Sequence, residues 1–593
     1  MEITRTFDLL DRYQSNFRKE DAFVVKRNGK WTSFSTDDYI RNAHYFAYGL
    51  LASGFKKGDK IATVSNNRPE WNFIDLGMAM AGVVHVPLFT SLSSSDYEYM
   101  LRHSDARMLI VSDDRLYNKI SPVAAGIEAI EKTCTFDHVE GAANWNELVE
   151  LGKKSEVYYK EELIRIKQGI QPDDFASLIY TSGTTGNAKA VMLSHRNLVE
   201  NFLAAARIFQ MTPDQKYLSI LPLCHVGGRM GNYQTQYCGS TICYAENMGT
   251  IAANMKELQP HGFDAVPRIL EKIFDKVLAK GKQLKGIKKT LFFWAVRIGL
   301  KYKLPEESNW LYRVRHQLAD KLIFSKWRDA LGGNIQLVGC GGASLQPRLE
   351  RVFWACGIKV LNMYGLTETS PIITINRKNP PKVKLGSVGA VIDGVEVKIA
   401  GDGEIICRGH NVMLGYYKDP EMTKMVLAED GWFHTGDIGE MSKDGFLFIK
   451  DRKKEIFKLS SGKFIAPQII ENKLKESLFI EQLLVVGEHE KFASAIIMPD
   501  FSYIEDWCSL NKIPFGSKHE IVQDHRVFSA INNDVKRFNK SFANPERINR
   551  IRLVTDEWSA ATGELSPTLK LKRKVLHQKY QPIIDQIYRK QKV

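Results

Sequence analysis

No apolar run in this sequence reaches the roughly 18 residues that cross a bilayer as a helix. The nearest, residues 76–89, contains Gly82, His85 and Pro87 and reads as a core helix leading into a strand. The start lacks the uninterrupted apolar core and small-residue cleavage site of a secretory signal, and residues 1–17 read as an amphipathic helix carrying Arg5, Asp8, Asp11 and Arg12. Eight cysteines are present, yet none falls in a C-x-x-C pair or in the alternating Cys/His spacing of a zinc site. They read as reduced structural thiols, and the expected location is cytoplasmic. Long low-complexity tracts and internal repeats are also missing, so disorder is not the default.

What is present has the texture of a large globular protein. At 593 residues the chain exceeds the ~250–300 at which one core stops growing, so at least two domains are expected. The formal charge of +14, from 82 basic and 68 acidic residues, favours anionic partners. No nucleic-acid reader motif accompanies that charge, and nucleic acid is therefore not an expected partner.

Short strand-like runs at 60–65, 176–180, 335–339 and 360–363 alternate with helical stretches, which predicts a layered α/β fold. After Ser194, an N-cap residue, Leu198, Phe202, Ala205 and Phe209 keep helical spacing. From Gly386, glycines at 389, 394, 401 and 403 separate short alternating segments, predicting a small β-barrel-like part of the large domain. A charged cluster at 451–454 marks the expected boundary between a large N-terminal domain, residues 1–451, and a small α+β domain, residues 452–593, whose mobility only a family resemblance implies. Residues 536–593 hold 14 Lys/Arg against five Asp/Glu. Residues 276–303 carry nine Lys/Arg and no acid around the apolar centre 291–300, a pattern that fits peripheral contact with a membrane surface as well as a half-buried helix with a basic outer face.

The sharpest chemical signal is YTSGTTGNAK, residues 180–189, between a strand and a helix. Gly183 and Gly186 let the backbone aim amide hydrogens at an anion, the hydroxyls of Thr181, Ser182, Thr184 and Thr185 add donors, and Lys189 supplies charge. The spacing is not that of a P-loop, because only two residues separate the glycines and Ala190 follows the lysine. Further along stand LPLCH (221–225), GGA (341–343), YGLTE (364–368), TGD (435–437), DRKK (451–454) and PTLK (567–570).

In this order the seven motifs resemble the adenylate-forming superfamily of acyl-CoA synthetases, adenylation domains and firefly luciferase, over essentially the whole chain. The segment 259–272, the basic insertion after it and the ending 563–570 resemble its long-chain fatty-acyl-CoA synthetases. The resemblance implies activation of a medium-to-long-chain fatty acid as its acyl-AMP, then transfer to CoA. It implies ATP bound by residues 181–189, Mg²⁺ held by Glu368 with Thr181, and adenine between Gly342, Ala343 and Tyr364 with Gly365 and Thr367. It places Asp437 on the ribose with Arg452 nearby, His225 beside the acyl pocket, Gly462 on the pantetheine path, Lys454 at the hinge and Lys570 on the reacting phosphate.

Each assignment has a physical sense: Glu368 is an oxygen ligand for a hard cation, and a fixed cation such as Lys570 stabilises charge that builds on an α-phosphate under attack. Two departures stand out, Val226-Gly227-Gly228-Arg229 where an aromatic and an acid commonly follow the histidine, and Asn187-Ala188-Lys189-Ala190 where Pro and Gly often flank the lysine. Two rival functions remain, a ligase loading an acyl carrier protein and a catalytically silent lipid-binding protein at a membrane.

Overall fold

The computed structural model describes residues 2–181, 188–559, 562–566 and 570–589. The chain forms two compact units, Met1–Val397 with Cys407–Phe433, and Lys398–Ile406 with His434–Val593.

The larger unit is built on two sheets. One runs Ala390–Val391, Ile372–Ile375, Lys359–Gly365, Leu337–Cys340, Gly262–Ala265, Lys216–Ser219, Thr241–Tyr244, Phe23–Arg27 and Lys30–Phe34 in spatial order. Its centre is parallel, with Ala265 beside Cys340 and Cys340 beside Asn362, so three successive strands end at one edge. The other sheet runs Gly415–Tyr416, Lys189–Ser194, Phe175–Thr181, Val84–Leu88, Lys60–Val64, Ala106–Val111, Lys132–Thr135 and Ala143–Asn144. Its parallel core strands read as continuous apolar runs because both faces are covered, and every residue of Val84–Leu88 is buried. The stretch 76–89 is, as expected, the end of the helix Pro69–Met80 followed by that strand.

The helix predicted after Ser194 spans His195–Phe209. The Ser194 side chain accepts the Asn197 amide while the Asn197 side chain accepts the Ser194 amide, and Leu198, Phe202, Ala205 and Phe209 are all buried. From residue 386, short strands follow, and Val395–Ile399, Glu404–Gly409, Phe433–Met441 and Leu447–Arg452 form a four-stranded sheet, most of which falls in the smaller unit.

In the smaller unit the strand Ile480–Val486 pairs with Ser494–Pro499, which in turn pairs in parallel with Arg550–Leu553. Leu483 and Val485 face one cluster with Ile470, Ile504, Ile531 and Val535, whereas Leu484 and Val486 face another with Trp558, Leu576 and Ile587. The two-residue period of a strand thus feeds two cores at once, one on each face of the sheet.

Candidate active site

In the larger unit the strands Phe175–Thr181 and Lys189–Ser194 pair antiparallel, with Thr181 directly opposite Lys189. The ends of the phosphate-loop motif therefore sit side by side. Its interior, with the predicted Ser182, Gly183, Thr184 and Thr185, lies outside the described residues.

The edge strand Gly415–Tyr416 pairs with the Lys189 strand, setting Tyr416 beside Val191. The Lys189 ammonium lies 4.8 Å from the centre of the Tyr416 ring, and the Tyr416 hydroxyl donates to Glu368 Oε1 at 2.9 Å. One tyrosine thereby links the phosphate-loop lysine to the candidate metal carboxylate, two groups that lie 179 positions apart in sequence. Burial, and then the Glu368 carboxylate, push the Tyr416 hydroxyl well above its ordinary pKa, so it remains a donor. Glu368 lies in the 3₁₀ turn Thr367–Thr369, and its carbonyl accepts the Met413 amide at 2.9 Å.

Tyr364 is buried at the end of the strand Lys359–Gly365. Gly365 is required sterically, since a Cβ there would lie 1.7 Å from the Pro371 carbonyl oxygen. Gly342 has φ +81, and Gly341 donates to the Ala265 carbonyl at 3.2 Å, so Gly341, Gly342 and Ala343 leave the sheet where the parallel strands end. Crevices at that edge of an open α/β sheet are the usual ligand sites.

His225 caps the helix Val226–Cys238, and its Nδ1 accepts the Gly227 amide at 3.0 Å, which assigns the ring proton of the neutral form to Nε2. Arg229, one turn on, is buried. Its guanidinium donates to Asp75 and Ser177, each at 2.5 Å, and to the Tyr233 hydroxyl at 2.9 Å. Tyr233 and His85 also hydrogen-bond Asp75, and His85 meets Thr63 at 2.7 Å. Burial works against the Asp75 carboxylate, but Arg229 and its neutral partners outweigh it and hold its pKa below the ordinary value. Gly228 allows close packing, since a Cβ there would lie 2.4 Å from the Pro222 carbonyl oxygen.

The smaller unit carries the other predicted residues. Asp437 stands opposite Arg452 on the antiparallel pair, with Arg452 Nε 3.3 Å from its carboxylate. Thr435 donates to the Ile405 carbonyl and Glu404 accepts the Gly436 amide, which shapes the turn before Asp437. Asp451 is buried and accepts the amides of Arg452 and Gln468, tying the strand end to the helix Pro467–Leu474. Burial raises its pKa to about 6.

Lys454 and Lys570 are exposed, and Gly462 makes an exposed tight turn with φ +82. The backbone around Lys570 is pinned by Ser566, whose amide donates to the Lys570 carbonyl at 2.7 Å. Three residues later Arg573 is ion-paired with Glu455 at 2.8 Å and Glu471 at 2.5 Å.

Among the described residues no cluster of three His, Cys, Asp or Glu side chains forms a self-sufficient metal cage. Glu368 and Thr181 offer the oxygen donors that Mg²⁺ prefers, and that ion commonly uses one or two carboxylates and completes its shell with water and substrate phosphates.

The family described as AMP-binding enzyme matches residues 11–417, and the AMP-binding enzyme C-terminal domain matches 454–592. The long-chain-fatty-acid–CoA ligase FadD15 of Mycobacterium tuberculosis is 30% identical over 580 residues, covering 96% of this chain and 95% of that protein. The rat long-chain-fatty-acid–CoA ligase ACSBG1 is 30% identical over 99% of this chain and 85% of its own length. Among solved structures, ATP-bound MatB from Rhodopseudomonas palustris superposes with a TM-score of 0.69 at 20% identity, over 98% of this chain and 100% of that one. The A domain of a carboxylic acid reductase from Segniliparus rugosus, bound to AMP and a co-purified carboxylic acid, superposes at 0.74 and 19% identity, over 99% and 94% of the two chains. On motifs, fold and near-complete coverage, this chain belongs to the AMP-binding, adenylate-forming enzyme family.

Proposed function

We propose that this protein is an ATP-dependent ligase that converts a medium-to-long-chain fatty acid into its acyl-CoA through an acyl-AMP. The supporting observation is the alignment of Lys189, Tyr416 and Glu368 at the mouth of the phosphate-loop hairpin, in a chain about 30% identical to long-chain fatty-acid–CoA ligases. Thr181, the loop with Ser182, Gly183, Thr184 and Thr185, and Lys189 bind the β- and γ-phosphates. Gly342, Ala343, Tyr364, Gly365 and Thr367 take the adenine, and Asp437, oriented by Arg452, takes the ribose hydroxyls. Glu368 with Thr181 would hold Mg²⁺, which would supply charge neutralisation on the phosphates.

In the first half-reaction a fatty-acid carboxylate oxygen attacks the α-phosphorus and the bond to pyrophosphate breaks. Lys570 is assigned to the charge that builds there. In the second, the CoA thiolate attacks the acyl carbon and AMP departs with the bonding pair. His225 lines the acyl pocket, and Gly462 admits the pantetheine arm. The functional division falls between 1–451 and 452–593, with Lys454 as hinge, a position compatible with family matches that stop at 417 and resume at 454.

Lys570→Ala should slow fatty-acid-dependent pyrophosphate release by about 10²-fold while sparing thioester formation from supplied acyl-AMP. Equal loss in both assays would remove Lys570 from its role. The absence of ATP–pyrophosphate exchange with every fatty acid tested would leave the silent lipid-binding reading instead. The basic C-terminal region also suits an acidic acyl carrier protein, and offering CoA and that carrier separately to preformed acyl-AMP decides the acceptor. We place the protein in the cytoplasm, in peripheral contact with the inner membrane face; its eight unpaired cysteines suit a reducing compartment.

A further inference from the structure

The basic segment singled out in the sequence turns its apolar centre inward: Phe292, Ala295, Val296, Ile298 and Gly299 of the helix Gly286–Leu300 are buried. Apart from Ile287, the exposed apolar side chains here lie on the next helix, Trp310–Ala319, and its π-helical continuation Asp320–Phe324. Trp310, Val314 and Leu318 are 73%, 48% and 54% exposed, and Leu322 extends the same four-residue spacing. The opposite face is engaged: the Tyr312 hydroxyl donates to the Ile298 carbonyl at 3.0 Å, His316 meets the Ala355 carbonyl at 2.8 Å, and Ala319 is buried. The stripe is therefore the outward side of a helix already docked on the protein.

Cations frame it. Residues 285–326 hold ten Lys/Arg against three Asp/Glu. Arg315, Lys321 and Lys326 are exposed and make no ion pair among the described residues. An apolar stripe with a tryptophan at one end and unpaired cations along its edge is the composition of a helix that lies in a lipid interface. A second copy of the chain fits less well, because a twofold contact through this face would set the same cations against themselves.

We infer that Trp310, Val314, Leu318 and Leu322 insert into the headgroup layer of an anionic bilayer, with Arg315, Lys321 and Lys326 on its phosphates. The ligase reading gives this contact its use, since long-chain fatty acids partition into bilayers, but the binding itself does not depend on catalysis.

The test is co-sedimentation of the full chain with phosphatidylcholine vesicles, with and without an equal part of phosphatidylglycerol. The chain should bind the anionic vesicles and release as salt rises. The double variant Trp310→Gln/Leu318→Gln should partition at least about tenfold more weakly, and Arg315→Glu/Lys321→Glu should lose the preference for anionic lipid. Because all four side chains are exposed, the thermal midpoint should stay unchanged. Adenylation of a soluble shorter acid should also stay unchanged, so failure of the ligase reading would appear in that assay and leave the vesicle result intact. Wild-type protein that ignores anionic vesicles, or variants that bind as well as wild type, would overturn the inference. So would a wild-type dimer that the double variant splits, since the face would then belong to a second copy.

Discussion

At the scale of single residues, the candidate site shows which chemistry can be read from letters and which cannot. Thr181, Lys189, Glu368 and Asp437 stand in recognisable strings, but Tyr416 carries no such mark: its role arises from an edge strand that pairs with the lysine's strand. Outer partners of a metal ligand typically alter metal affinity or activity 10–100-fold. Tyr416→Phe removes the hydroxyl that orients Glu368 and keeps the ring under Lys189, so it should raise the Mg²⁺ concentration needed for half-maximal pyrophosphate release by about tenfold. An unchanged Mg²⁺ titration would detach Tyr416 from the proposed Mg²⁺ site.

Asp264 was equally silent in sequence. Its fully buried carboxyl accepts the Tyr217 hydroxyl at 3.0 Å, in space left by Gly231 and Gly339, where a Cβ would lie 2.0 and 2.2 Å from its oxygens. Burial raises its pKa to about 7, so the folded protein holds this proton where the unfolded chain, at the ordinary carboxylate value, has lost it. The penalty for burying the charge grows as pH rises from about 4 to about 7 and is complete above that window. Asp264→Asn should therefore gain stability over wild type at pH 8, on the order of 2 kcal/mol, with the difference vanishing near pH 4. Urea midpoints at the two pH values measure it, and a difference independent of pH would contradict it.

At the scale of elements, helices and strands with strong patterning were legible, and the facing of ambiguous ones was not. The helix His195–Phe209 follows its periodicity, and the apolar run 76–89 is the helix end and strand that its Gly, His and Pro interruptions suggested. The apolar centre of 286–300 fits a core and a lipid surface equally by composition, and only its packing against the helix Pro347–Ala355, where a Cβ on Gly299 would lie 2.9 Å from Val352, decides that it is core. The departure at Val226-Gly-Gly-Arg229 likewise becomes intelligible as a docking device. Arg229 reaches Asp75 on the helix Pro69–Met80 and Ser177 on a central strand, fixing the helix that begins at His225. Removing one partner of a buried pair costs about 3–5 kcal/mol, because the other charge is left unpaired. Arg229→Met should fall in that range by chemical denaturation, and adding Asp75→Asn should restore part of the loss. A double variant as unstable as the sum of the two single ones would show that the charges are not coupled.

At the scale of the whole molecule, the order of motifs suggests a division at DRKK, 451–454, just before the C-terminal family match at 454–592, whereas the smaller compact unit also takes in 398–406 and 434–453. What letters could not supply was how the segment proposed as a hinge is held. Asp451 is anchored to the helix Pro467–Leu474, and Glu455 is paired with Arg573, so Lys453 and Lys454 lie between two fixed points, with the Lys453 amide on the Gly436 carbonyl at 2.8 Å. On the proposed reading, rotation about a few backbone bonds there would carry the residues after Lys454 as one piece, as hinge closures do. Proline at such a position fixes φ and restricts the preceding residue. Lys454→Pro should therefore slow one half-reaction by about 10²-fold while leaving the other within about threefold, measured as pyrophosphate release in one assay and thioester formation from acyl-AMP in the other. The proposed hinge requires this asymmetry, because on that reading two arrangements are needed to complete both steps and the ring would permit only one. Equal losses would indicate a general folding defect, and no loss would move the pivot elsewhere in the chain.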